Sequence, residues 1–157
     1  MKKFFKSLML ISVCLGLSAT VNAKTFRYAT TGDILGLDPH ANNEGPTNTM
    51  KGNIYGRMLH RKADLSLEPD LATKWEKLDA NTWRFSLRRG VKFHNGNDFN
   101  ADDVLFSYKR QTQEASDMSF ALATIKQINK VDDYTVDLIT KGPDPILLVN
   151  MPMLYIV

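Results

Sequence analysis

Three groups of residues in this 157-residue chain carry side chains that could do chemistry. His94 stands near Asp98, Asp102 and Asp103, an imidazole and three carboxylates that could be drawn around a metal ion. Ala29-Thr30-Thr31-Gly32-Asp33 places two hydroxyls, a glycine and a carboxylate at the end of an alternating segment. At such strand ends, backbone N–H groups and short hydroxyls are free to hold a small ligand. Arg88 and Arg89 could grip an anion. Each group also has a plainer reading. Asp102 and Asp103 fall where they would cap a helix, and a lone histidine beside a turn is ordinarily structural. Adjacent arginines ordinarily pair with surface carboxylates. The His94 set is therefore read as no metal site, and Arg88 and Arg89 as surface ion-pair residues. Thr30, Thr31, Gly32 and Asp33 are read as ligand contacts, the alternative being a surface turn.

Enzyme chemistry finds little support. The chain has no G-x-S-x-G nucleophile elbow, no P-loop, no H-E-x-x-H pair and no dinucleotide fingerprint. His40, His60 and His94 fall in different predicted elements and make no i, i+4 pair. Trp83, Phe85 and Leu87 alternate with Thr82, Arg84, Ser86 and Arg88, a period of two that buries one strand face. These aromatics therefore belong to a core and not to a stacking platform for sugars or bases. No cofactor is implied.

The first residues read as an export signal. Lys2, Lys3 and Lys6 precede the short apolar run Leu8 to Leu17, and Val21-Asn22-Ala23 supplies small residues for cleavage after Ala23. The run is shorter than the ~20 residues a bilayer span requires. Cys14 is the only cysteine and lies in this run, preceded by Val13 where a lipid-attachment signal has a small residue. Cleavage leaves a chain without a thiol, hence without disulfide or thiolate chemistry. Removing Lys2, Lys3 and Lys6 from the 20 Lys and Arg also leaves 17, equal to the 17 Asp and Glu. With no basic surplus, a phosphate-backbone partner is excluded. A soluble periplasmic protein fits these features.

The elements follow from local patterning. Lys24 to Thr30 alternates as a first strand, and Thr31 to Pro46 is a polar loop. Met50, Ile54 and Met58, joined by Tyr55 and Leu59, predict a helix over 47–59 with Thr47 as N-cap. A hairpin turns at Asp79-Ala80-Asn81, and Val91 to His94 leads into an Asn95-Gly96 turn. Phe99, Asn100, Asp103 and Val104 spell a hydrophobic staple and capping box, predicting a helix to about Thr112. A second hairpin runs from Ile125 to Val131, turns at Asp132-Asp133, and returns through Tyr134, Val136 and Leu138. Ile146 to Val157 is almost wholly apolar and reads as a buried segment cut off midway. In half a lobe, that run and the sheet edges are expected to stand exposed.

The stretch from Leu67 to Arg110 resembles the N-terminal signature of family 5 extracellular solute-binding proteins, the oligopeptide- and dipeptide-binding group. The matching pieces are Pro69-Asp70-Leu71-Ala72, Trp75-Glu76, Thr82-Trp83-Arg84-Phe85, Leu87 to His94, Gly96 and Ala101-Asp102-Asp103-Val104. Leu37-Asp38-Pro39 resembles a further element of that family. The resemblance implies an α/β fold of the periplasmic-binding-protein type (type II, large peptide-binder cluster). Residues 1–23 would be the signal peptide and 24–157 the incomplete first lobe. It further implies that the Thr30–Asp33 loop lines the cleft between lobes, with Tyr55 a weaker ligand candidate. Tyr55-Gly56-Arg57-Met58 departs from the family's acidic residue and Gly-Leu, and Asn95 replaces its usual Asp. The implied function is capture of short peptides for an ABC importer, with permease and ATPase subunits as partners and a full-length monomer. Alternatives are a non-peptide solute (nickel complex, haem, glutathione, opine or oligosaccharide), a truncated product that binds nothing, or a secreted hydrolase fragment.

Overall fold

The computed structural model describes residues 25, 27, 29 and 31–157. The predicted leader, most of the predicted first strand and Thr30 lie outside the described residues. Helix α1 spans Gly45–Ile54. It is followed by a small ribbon of β1 (Leu59–Arg61) and β2 (Leu67–Pro69). The main sheet is antiparallel, built from β3 (Ala72–Lys77), β4 (Thr82–Leu87), β5 (Ile125–Asp132) and β6 (Thr135–Thr140) in the order β3-β4-β6-β5. Helix α2 (Ala101–Gln111) joins the two hairpins, and the one-turn helix α3 (Leu147–Asn150) opens the last segment.

Both predicted hairpins form, in a register that the alternation requires. Trp75 faces Phe85, Phe85 faces Val136 and Trp83 faces Leu138. Phe85, Val136 and Leu138 are wholly buried, while Trp75 and Trp83 pack at the edge of the same core. On the opposite sheet face Arg84 meets Asp137 across the strands through two hydrogen bonds of 2.7 and 2.8 Å.

Helix α2 starts where its sequence says. The Asn100 side chain accepts from Asp102 N at 2.7 Å, and the Asp103 carboxylate accepts from Asn100 N at 2.8 Å. Phe99 and Val104 are buried on either side of that cap. Ahead of it, the Lys92–Asp98 bridge closes a turn in which Gly96 has φ +89°, a conformation that glycine adopts without a Cβ penalty.

Two expectations are corrected. Helix α1 is capped at Glu44 and ends at Ile54, so Thr47 is not its N-cap and Met58 and Leu59 are not helical. Pro46 lies in the first turn, where a missing N–H costs nothing, and so the helix begins before Thr47. At the other end tertiary hydrogen bonds override the four-residue spacing. Asp70 accepts from Arg57 N at 3.1 Å, Met58 N donates to Leu154 O at 3.3 Å, and Ala72 N donates to Met58 O at 2.9 Å. The second correction concerns the apolar end. Leu147, Met151, Leu154, Tyr155 and Ile156 are all buried, and only Ile146 and Val149 stand out. Ile156 N donates to Gly56 O at 2.9 Å and Val157 N to Ser107 Oγ at 2.9 Å, so the segment closes the core instead of lying bare.

Candidate functional site

The start of α1 and the loop before it enclose an open cleft of about 880 Å³. Ala29, Thr31, Gly32, Asp33 and Ile34 line one side, with Gly45, Pro46 and Thr49 of α1 opposite. Thr31, Gly32 and Asp33 are all exposed. Three of the five predicted ligand residues therefore share one cavity, and Thr30 lies outside the described residues. Tyr55 does not join them. It follows the far end of α1, a helix roughly 15 Å long at 1.5 Å per residue. There it borders two other depressions, of about 460 and 190 Å³. Its hydroxyl donates to Leu37 O at 2.9 Å and its ring meets Tyr155 edge-on, so it braces the loop's exit and not the cleft's wall. Gly45, Pro46 and Thr49 are site residues that the sequence did not mark, because their proximity to Thr31 comes from the fold of the intervening loop.

What fixes this loop is a set of tethers beyond Ile34. Leu35 N donates to Thr47 Oγ1 at 3.0 Å. Asp38 takes both arms of Arg110 from α2, at 2.9 and 2.5 Å. His40 is buried, with its Nδ1 2.8 Å from Arg110 Nη1 and its Nε2 3.1 Å from Tyr155 O. Ser116 Oγ donates to His40 O at 2.8 Å, and Lys51, buried in α1, donates its ammonium to Asn42 O. The guanidinium hydrogen bonds hold Asp38 at about 2, against its ordinary 3.8. Leu37-Asp38-Pro39 thus acts as an anchor for the loop whose Thr31, Gly32 and Asp33 line the cleft.

The remaining candidates are occupied elsewhere. Asp98 pairs with Lys92 at 2.5 Å, Asp102 with Lys130 at 2.8 Å, and Asp103 caps α2, while His94 is exposed. Among the described residues no group of three or more His, Cys, Asp or Glu could hold a metal ion. Arg88 and Arg89 differ from expectation. Arg88 donates to the Asp70 carbonyl at 2.8 Å, and the Arg89 guanidinium sits 4.2 Å from the Tyr134 ring centroid. The Tyr134 ring at the second hairpin gives this planar cation a flat partner. No described helix is long and apolar enough to cross a membrane.

Comparison with known proteins agrees with this arrangement. The family model for bacterial extracellular solute-binding proteins, family 5 middle, matches residues 66–157. The dipeptide-binding protein of Escherichia coli is 32% identical over 163 residues, covering 90% of this chain and 30% of that protein. Heme-binding protein A of Haemophilus influenzae is 33% identical over 155 residues, covering 84% of this chain and 28% of its own. Among solved structures, the ABC transporter-associated periplasmic binding protein DppA from Helicobacter pylori in complex with peptide STSA superposes with a TM-score of 0.67 at 30% identity, over 77% of this chain and 28% of that one. The chain spans under a third of the length of each relative it matches. With hairpins, capped helix and anchored loop in these places, the chain belongs to the family 5 bacterial extracellular solute-binding proteins and holds part of the first lobe of that α/β fold.

Proposed function

We propose that this chain is the opening part of the substrate-binding component of an ABC importer, which captures short peptides in the periplasm and delivers them to a membrane permease and its ATPase. Residues 1–23 serve as a cleaved export signal and 24–157 as the beginning of the first lobe. The observation that carries the reading is the exposed Thr31-Gly32-Asp33 run on one wall of the 880 Å³ cleft, held by an anchored loop of a family 5 binding protein. Thr31 and Asp33 offer a hydroxyl and a carboxylate to the polar main chain of a peptide. Capture needs no bond to be made or broken. A ligand held more tightly by the closed clamp than by the open one shifts the equilibrium by that difference alone.

The relatives named for dipeptides and for a peptide complex favour peptide as the ligand class. The haem-binding relative, at 33% identity, keeps a non-peptide solute as the second reading. Both are tested on the intact binding protein by titration calorimetry with dialanine and, separately, with haemin. Thr31→Trp is expected to abolish dialanine binding while the melting temperature stays within a degree or so, since an exposed substitution away from the core has little effect on stability. Unchanged affinity would remove the loop from the site. Binding of haemin but not dialanine would select the second reading.

A further inference from the structure

The protonation state of His40 follows from its two partners. A guanidinium offers only N–H donors and a carbonyl only lone pairs. Arg110 Nη1 lies 2.8 Å from Nδ1 and the Tyr155 carbonyl 3.1 Å from Nε2, so Nδ1 is bare and Nε2 carries the proton. Neither the other tautomer nor the imidazolium satisfies both. The residue is 2% exposed, and with Asp38 and Arg110 it lines a depression of about 120 Å³. The charged groups facing the ring are Arg110 from α2, Asp38 from its own loop and Lys51 from α1. Tyr155, from the last segment, adds its carbonyl and a phenol whose own pKa burial raises.

Arg110 is shared between this ring and Asp38, and Asp38 Oδ1 also accepts from His40 N at 2.9 Å. Asp38, His40 and Arg110 therefore form one closed unit. It ties the loop that carries Thr31, Gly32 and Asp33 to the C-terminal half of α2 and to the buried last segment. A proton on Nδ1 would turn an acceptor toward Arg110 into a second donor, and the unit would have to open. We propose that Asp38, His40 and Arg110 form a positioning latch for the binding loop, which protonation of His40 releases, lowering affinity for the ligand.

Burial holds this imidazole below its ordinary 6.5, and the Arg110 charge acts in the same direction against the Tyr155 carbonyl. A folded state that favours the neutral base is stabilised above the ordinary imidazole range and loses that contribution as pH falls. The latch is thus closed at neutral pH and opens on acidification below 6.5. Its effect on affinity rests on the reading of Thr31–Asp33 as ligand contacts, whereas its effect on the loop does not.

The test uses the intact protein at about pH 7.5 and about pH 5, either side of the imidazole range. Hydrogen exchange of the amides of residues 31–37, each rate divided by the intrinsic amide rate at the same pH, reads the loop without any ligand, and calorimetry with dialanine reads the site. For the wild type we expect lower protection in that segment and about tenfold weaker binding at the lower pH, within the ordinary range of coupling between two sites. His40→Gln keeps a donor for the Tyr155 carbonyl and cannot titrate in this range, so both responses should flatten. Arg110→Lys, which lacks the two-armed grip, should exchange fast at both pH values. Equal pH responses in wild type and His40→Gln, or a loop whose exchange ignores pH, would overturn the latch. A pH-dependent loop in a protein that binds no dialanine keeps the latch and overturns the peptide reading alone.

Discussion

Gly56 lies against Leu71 so closely that a Cβ on the glycine would stand 2.8 Å from Leu71 Cδ1 and 3.1 Å from its Cγ. The backbone of each partner is held in place. Leu71 is buried, its N–H is taken by Arg57 O at 3.0 Å, and Gly56 O is held by Ile156 N at 2.9 Å. Gly56→Ala should therefore destabilise the intact protein by about 1–3 kcal/mol, the usual cost of overpacking. Leu71→Ala alone should cost about 2–5 kcal/mol as a large-to-small core change. In the double variant the glycine substitution should become nearly free, giving a coupling of about 0.5–3 kcal/mol. Urea unfolding of the four proteins measures it, and strictly additive costs would show that the contact does not constrain the backbone.

The cap of α2 predicts a smaller and more local loss. Asn100→Ala removes the acceptor for Asp102 N and should cost about 1 kcal/mol, within the 0.5–2 kcal/mol range of N-cap removals. Asp103→Ala removes the reciprocal half of the box. Because Ala101 N also donates to Asp133 O at 2.9 Å, the helix start is pinned to the second hairpin. The loss should thus appear in the global unfolding midpoint and not as fraying alone. A midpoint unmoved by either substitution would mean that the box adds nothing in this context.

These two sites also mark where sequence reading succeeds and where it stops. The α2 cap was legible because every partner lies within six residues, from Phe99 to Val104, and local hydrogen bonding decides the outcome. The hairpins were legible for the same reason, through alternation on each side of a short turn. Helix α1 was overextended because Met58 belongs to a tertiary network, bonded to Leu154 and Ala72, that no local pattern announces. The apolar pattern of the last segment announces a buried stretch, but not that Gly56, Met58 and Ser107 supply its partners within this chain. In the site, Thr31, Gly32 and Asp33 were recognisable by residue type, whereas Thr49 across the cleft was not. Tyr55 was grouped with them by family likeness, yet its hydroxyl is spent on Leu37 O at the far end of α1. His40 gave no signal at all, since its partners come from positions 110, 116 and 155.

The Asp38–Arg110 pair gives a further test in a pH window below that of His40. Chiefly through its hydrogen bonds with Arg110, Asp38 is held at about 2 in the folded state, against an ordinary value of 3.8. A carboxylate whose folded pKa is depressed stabilises the fold fully above its unfolded value. That contribution is then lost as pH falls from 3.8 toward about 2. Its size is modest, because the side chains are 34% and 42% exposed and water screens part of the attraction. The urea midpoint of the wild type should accordingly drop between pH 3.8 and about 2 by more than that of Arg110→Gln. Asp38→Asn, which has no charge to lose, should follow Arg110→Gln through that window. Parallel acid curves for all three proteins would mean that Asp38 and Arg110 are tied no more tightly in the folded chain than in the unfolded one, and the loop's anchor would then rest on its other tethers, from His40, Ser116, Thr47, Lys51 and Tyr55.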